Sequence, residues 1–152
     1  MDTFNSLKQL VDDYIDFAIE LRKKHTNLRS LFGPRTEEIY HPGHEAFDTA
    51  VENWCKDFAA SQPSQAELEA ALDLLLLGAE EQEGKAPYWY LIAAQRHATL
   101  LIPLLDDDRK AALASHYASQ YPPRLQVPVQ VQVYQALNPK ASRRKFRLFG
   151  NP

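Results

Sequence analysis

The chain carries one cysteine and five glycines among 152 residues, and each scarcity excludes something. A lone Cys55 cannot close an internal disulfide, so no disulfide framework holds this fold and a reducing compartment is expected. With so few glycines there is little from which to build a phosphate-cradling loop. The sequence holds no Gly-rich nucleotide motif, no Gly-x-Ser-x-Gly elbow, no Cys-x-x-Cys and no His-Glu-x-x-His. Long apolar runs are lacking too: the densest ones are interrupted by Gln95, Arg96 and His97 or stop at Pro103, short of the roughly eighteen residues that span a bilayer. The opening Met1-Asp2-Thr3-Phe4-Asn5 has none of the basic-then-apolar pattern of a signal peptide, so a cytoplasmic protein without membrane association is the expectation.

What is present is helical periodicity. A chain of this length buries roughly 70% of its unfolded surface and needs no metal or disulfide to hold a core. Phe4, Leu7, Val11, Tyr14, Ile15, Ala18, Leu21, Leu28 and Leu31 recur at three- and four-residue spacings, which predicts one long amphipathic helix from Thr3 to Phe32, ended by Gly33-Pro34. After a loop from Arg35 to Gly43, Phe47, Val51, Trp54 and Phe58 mark one face of a second helix reaching Ala60, and Ser61-Gln62-Pro63 breaks it. Ser64 and Glu67 have capping-box spacing, each able to satisfy an orphan N–H of the helix start, so a third helix begins there with Leu68, Ala71, Leu72, Leu75 and Ala79 inward. Pro87 suits a first helical position, and the apolar segment from Tyr88 to Ile102 reads as the central helix, ended or kinked by Pro103. Asp106-Asp107-Asp108 favour the start of a fifth helix that runs to Gln120 and closes at Pro122-Pro123.

Residues 125–133 support two readings. Leu125, Val127, Val129, Val131 and Val133 alternate with polar residues and proline, the period of a strand that would need to pair across a dimer or onto a partner. A helix started by Pro128 would instead align Val129, Val133, Ala136 and Leu137, and it is preferred because nothing else in the chain reads as a partner strand. The expected fold is therefore all-α: a single domain over residues 1–137 of five or six helices that can stack as helical hairpins, followed by a basic tail over residues 138–152.

The most enzyme-like cluster is Glu38 to Glu45, where His41, His44 and Glu45 are ligand types for zinc or iron. Dimetal bundles need two Glu-x-x-His elements, and one is present, so the structural reading of a polar loop leading into a helix is preferred. His97 and His116 lack a nucleophile at a recognisable spacing, and Cys55 in mid-helix reads as a small buried hydrophobe. No catalytic residue, metal ligand or cofactor is assigned.

Charge layout is more informative. The last fifteen residues hold Lys140, Arg143, Arg144, Lys145 and Arg147 and no acid, which leaves 12 basic against 20 acidic residues, or −8, on the body. That balance disfavours nucleic acid as the ligand of the helical body. Asp12, Asp13, Asp16 and Glu20 on the first helix and Glu45, Asp48 and Glu52 on the second fall on helix faces, where they can dock a basic protein partner, with Trp89 or Tyr90 as an apolar anchor. In size, acidity and single-domain helical build, residues 1–137 resemble the small immunity proteins that bacteria pair with antibacterial toxins. That resemblance implies a non-enzymatic module that binds one toxin domain stoichiometrically, acidic side chains facing its basic site. Two further readings stay open: a metal-dependent helical-bundle enzyme using His41, His44 and Glu45, and a regulatory adaptor whose basic tail engages nucleic acid or anionic lipid.

Overall fold

The computed structural model describes residues 3–32, 42–78, 88–122 and 127–139. Gly33-Pro34, the loop before His41, His41 itself, Ala79, Pro87, Pro123 and the tail from Lys140 onward lie outside them. Among the described residues the fold is all-α, with six α-helices and no strand.

Helix α1 (Thr3–Phe32) buries Leu7, Val11, Tyr14, Ile15, Ala18 and Leu21 as its periodicity predicts, whereas Phe4 in its first turn is 36% exposed. Helix α2 (Pro42–Ala60) begins two residues earlier than the sequence pattern indicates. Pro42 takes the helix start, where a missing N–H costs nothing, and Gly43 lies inside the first turn because the Phe17 ring of α1 occupies the space a side chain would need. Buried His44, Phe47, Val51, Cys55 and Phe58 face inward from α2, and Tyr14 stacks on Phe47 with ring centroids 3.9 Å apart. Gln62, at φ 56°, makes the left-handed turn out of α2.

Helix α3 (Gln65–Leu72) is capped as its spacing predicts: the Ser64 hydroxyl accepts from the Glu67 N–H at 3.1 Å, and the Glu67 carboxylate accepts from the Ser64 N–H at 2.8 Å. It then widens into a π segment over Asp73–Leu77, so that Leu75 and Leu76 are both buried. Helix α4 (Tyr88–Ala98) ends four residues before the expected Ile102. Thr99, Leu100 and Leu101 each donate to the carbonyl three residues back, and this tighter winding delivers the chain into a 3₁₀ turn at Ile102–Leu104 that holds Pro103 without an α-helical hydrogen bond.

Asp106 caps helix α5 (Asp107–Gln120), accepting from the Arg109 N–H at 2.8 Å. Gln65, at the start of α3, grips this turn from the side: its amide donates to the Leu104 carbonyl at 3.0 Å and accepts from the Asp106 N–H at 2.8 Å. Helix α6 (Pro128–Leu137) resolves the two readings of residues 125–133 in favour of a helix from Pro128 onward, with Val133 and Leu137 buried and the Val127 N–H donating to the Gln130 side chain at 3.1 Å. Pro128 supplies the preset φ of a first helical position.

Helix α4 is central, as its composition predicts. It packs against α2, the π segment and α6, while α1 lies outside against α2 and α3, and α5 covers the π segment and α6. At the middle sits the fully buried Gln95, whose side-chain carbonyl accepts from the Tyr117 hydroxyl at 2.7 Å.

Gly43 gives a test of this packing. A Cβ there would lie 2.6 Å from Cε2 of Phe17 and closer still to Cζ. Overpacking of about 1–3 kcal/mol outweighs the fraction of about 1 kcal/mol that alanine gains over glycine near a helix start. Chemical denaturation should therefore show Gly43→Ala less stable than the parent by about 1–2 kcal/mol. The same change made on top of Phe17→Leu should cost much less, whereas equal costs in both backgrounds would show that the ring is not the obstacle.

Candidate functional site

The acidic residues of α1 occupy the side of the helix turned away from the core. At about 100° per residue, Asp12, Asp13, Asp16 and Glu20 fill an arc of about 100° centred opposite the stripe of Leu7, Val11, Tyr14, Ile15, Ala18 and Leu21. Asp13, Asp16 and Glu20 are exposed and Asp12 is half-buried. Asp13 accepts from the Gln9 amide at 2.7 Å, and Glu20 has Lys23 at 3.4 Å, both pairs within the helix and exposed. Among the described residues neither Asp12 nor Asp16 has a hydrogen-bonding or ion-pairing side chain.

The acids of α2 are placed differently. Asp48 is committed to a bridge between helices, where it accepts from the Arg96 guanidinium and sits 2.9 Å from Nε2 of His97, joining α2 to α4. Glu52 pairs with Lys56 one turn on at 3.1 Å, and Glu45 is exposed in the first turn. Trp89 and Tyr90 belong to the first turn of α4, and their side chains lie outside the described residues. An apolar edge does flank the start of α1, where half-buried Trp54 donates from its indole to the Ser6 hydroxyl at 3.0 Å and stacks on Phe58.

His44 and Glu45 part company. His44 is 7% exposed between α1 and α2, where Nδ1 shares a 2.5 Å hydrogen bond with the Tyr14 hydroxyl and the ring meets Phe17 edge-on, while Glu45 points to solvent. Among the described residues no group of three His, Cys, Asp or Glu side chains converges in a way that could hold a metal ion. None of the described helices is long and apolar enough to cross a membrane.

A second surface feature was not legible in the sequence. The Gln65 clamp holds α5 across from α3 and the π segment, leaving a cleft of about 190 Å³ lined by Glu69, Asp73, Leu105, Arg109, Ala112, Leu113 and His116. Leu105 and Leu113 are buried beneath it. Arg109 is held by Asp106 at 2.6 Å and reaches Glu69 at 3.6 Å. The Asp73 carboxyl is pushed above its ordinary range by burial and by the Glu69 charge, with His116 opposing the shift. Glu69 and Asp73 are four apart and Arg109 and His116 seven apart, spacings that place each pair on one helix face. Nothing in either pair says that the two faces meet.

No protein-family model, curated protein or solved structure matches this chain.

Cys55 is fully buried, and burial pushes its thiol from the ordinary 9.0 up to about 12. Below pH 9 the thiol keeps its proton in both the folded and the unfolded chain, and the fold loses nothing. As pH rises from 9 toward 12 the unfolded chain sheds that proton first, so stability falls. The decline measured by urea denaturation at pH 8 and pH 10 should be shallower in Cys55→Ala. A variant with the same slope as the parent would show that this thiol titrates alike in both states.

Proposed function

We propose that this chain is a non-enzymatic binding module that recognises one protein partner of basic surface through the outer face of α1. In its most specific form it is an immunity protein that occupies the basic site of a cognate toxin domain. The observation that carries the reading is the carboxylate strip of Asp12, Asp13, Asp16 and Glu20 opposite the buried side of an outlying helix, with Asp12 and Asp16 lacking a side-chain partner among the described residues. Burying one charge without a counter-charge is costly, so such a strip is better suited to meet lysines and arginines than an apolar surface. Opposite charge on the partner also steers the encounter before contact forms.

Asp48 and Glu52 contribute less in this reading, because each already has a cation within the fold. Glu45 adds to the negative field without a described partner of its own. The half-buried Trp54 beside Ser6 supplies apolar area at the start of α1, with Trp89 and Tyr90 as further anchors on α4. Tryptophan and tyrosine are enriched among residues that dominate interface energetics.

The test has two steps. Tagged protein retained on resin in host extract should hold one stoichiometric partner with a basic surface, and co-expression should relieve any toxicity of that partner. Asp13→Lys combined with Asp16→Lys should then slow association with the purified partner by about tenfold at low salt, with a smaller change in dissociation and no loss of helicity. Unchanged association kinetics would sink the assignment of the α1 face, and a captured partner with an acidic surface would sink the reading as a whole.

A further inference from the structure

We propose that the cleft between α3 and α5 binds a small organic cation, an alkylammonium or alkylguanidinium group on a short apolar stem. This site is separate from the α1 face and does not depend on its role. Its charges are unbalanced. Its wall carries the carboxylates of Glu69 and Asp73 against the guanidinium of Arg109, which is already taken by Glu69 and by Asp106 outside the lining. The exposed Asp73 side chain accepts no hydrogen bond and forms no ion pair among the described residues, and the charge of Glu69 stands beside it. A cation placed against it would restore the balance that Arg109 supplies on the other side of the cleft.

The shape fits the same ligand. Below the charged rim, Leu105 and Leu113 form a buried apolar floor with Ala112 beside them, an environment for methylene groups. A cavity of about 150 Å³ holds a benzene ring, so the 190 Å³ here has room for a four-carbon stem and its charged head. An anionic ligand fits worse, since Arg109 in the wall is satisfied and two carboxylates would oppose it. The backbone adds a further observation. Asp73 is the first residue of the π segment that continues α3. The segment follows directly after Leu72, with Asp73 on the cleft wall and Leu75 and Leu76 buried.

The experiment is a titration of the full chain, labelled in its Leu and Ala methyl groups and its His rings, with n-butylguanidinium and, in parallel, neutral n-butanol, followed by NMR at pH 8 and low salt. Saturable shifts confined to Leu105, Ala112, Leu113 and the His116 ring, produced by the cation and not by the alcohol, are expected. Asp73→Asn should weaken binding by about tenfold, the loss of one charge-assisted hydrogen bond, and Glu69→Gln by less. Asp13→Lys with Asp16→Lys should leave the affinity unchanged, which separates this site from a general attraction of cations to an acidic surface. Shifts that do not saturate, equal shifts with the alcohol, or an Asp73→Asn variant that is folded and binds as well as the parent would each overturn the proposal. Should Asp73→Asn fail to fold, His116→Lys decides instead, because a fixed cation in the cleft should abolish binding; retained binding would overturn the proposal.

Discussion

Alanine at 93, 94 and 98 reduces the buried face of α4 to methyl groups, and the rest of the fold is arranged around that narrow stretch. Short side chains let three elements, α2, the π segment and α6, approach one helix, which larger residues would hold apart. Each of those neighbours brings the bulk that α4 lacks: Val51 and Cys55 from α2, Leu75 and Leu76 from the π segment, Val133 and Leu137 from α6. The exception is Gln95, fully buried among them. Its carbonyl is met by Tyr117, while its amide nitrogen finds no partner among the described residues. An unmet buried donor costs about 1–3 kcal/mol, so this residue specifies how α5 seats on α4 more than it stabilises the core.

The junction of α1 with α2 follows a different rule, that of aromatic shape. Tyr14 stacks on Phe47, Phe17 lies against His44, and Gly43 leaves out the one side chain that would collide with Phe17. His44, a ligand type in a chemically suggestive stretch, is used here as a ring with a hydrogen-bonding edge, turned inward to Tyr14. The same packing forces the acids of α1 outward, because the helix can present only one stripe to α2 and α3. Core and candidate docking surface are thus two consequences of one periodicity, and none of the described helices covers the strip.

Candidate functional features divide along the same line. The α1 strip is a local pattern of one helix and could be read directly. Asp48 shows where such reading stops: on its helix it resembles Glu45 and Glu52, yet it is joined to Arg96 and His97, some fifty positions away in sequence. The cleft is the extreme case. Two helix faces with ordinary spacing acquire a shared charge imbalance only because Gln65 fixes the 104–106 turn against the start of α3.

The sequence by itself determined where helices form and which stripe each buries, since spacing, the Ser64 capping box, the Asp106 cap and the prolines act within a few residues and need no distant partner. It also favoured a helix from Pro128, where the alternation of valines would have asked for a strand that the chain does not supply. The place of Gly43 inside α2 and the meeting of Glu69 and Asp73 with Arg109 and His116 were decided by tertiary structure. Each depends on what another helix places nearby, and short-range propensity carries no information about a neighbour brought in from elsewhere in the chain.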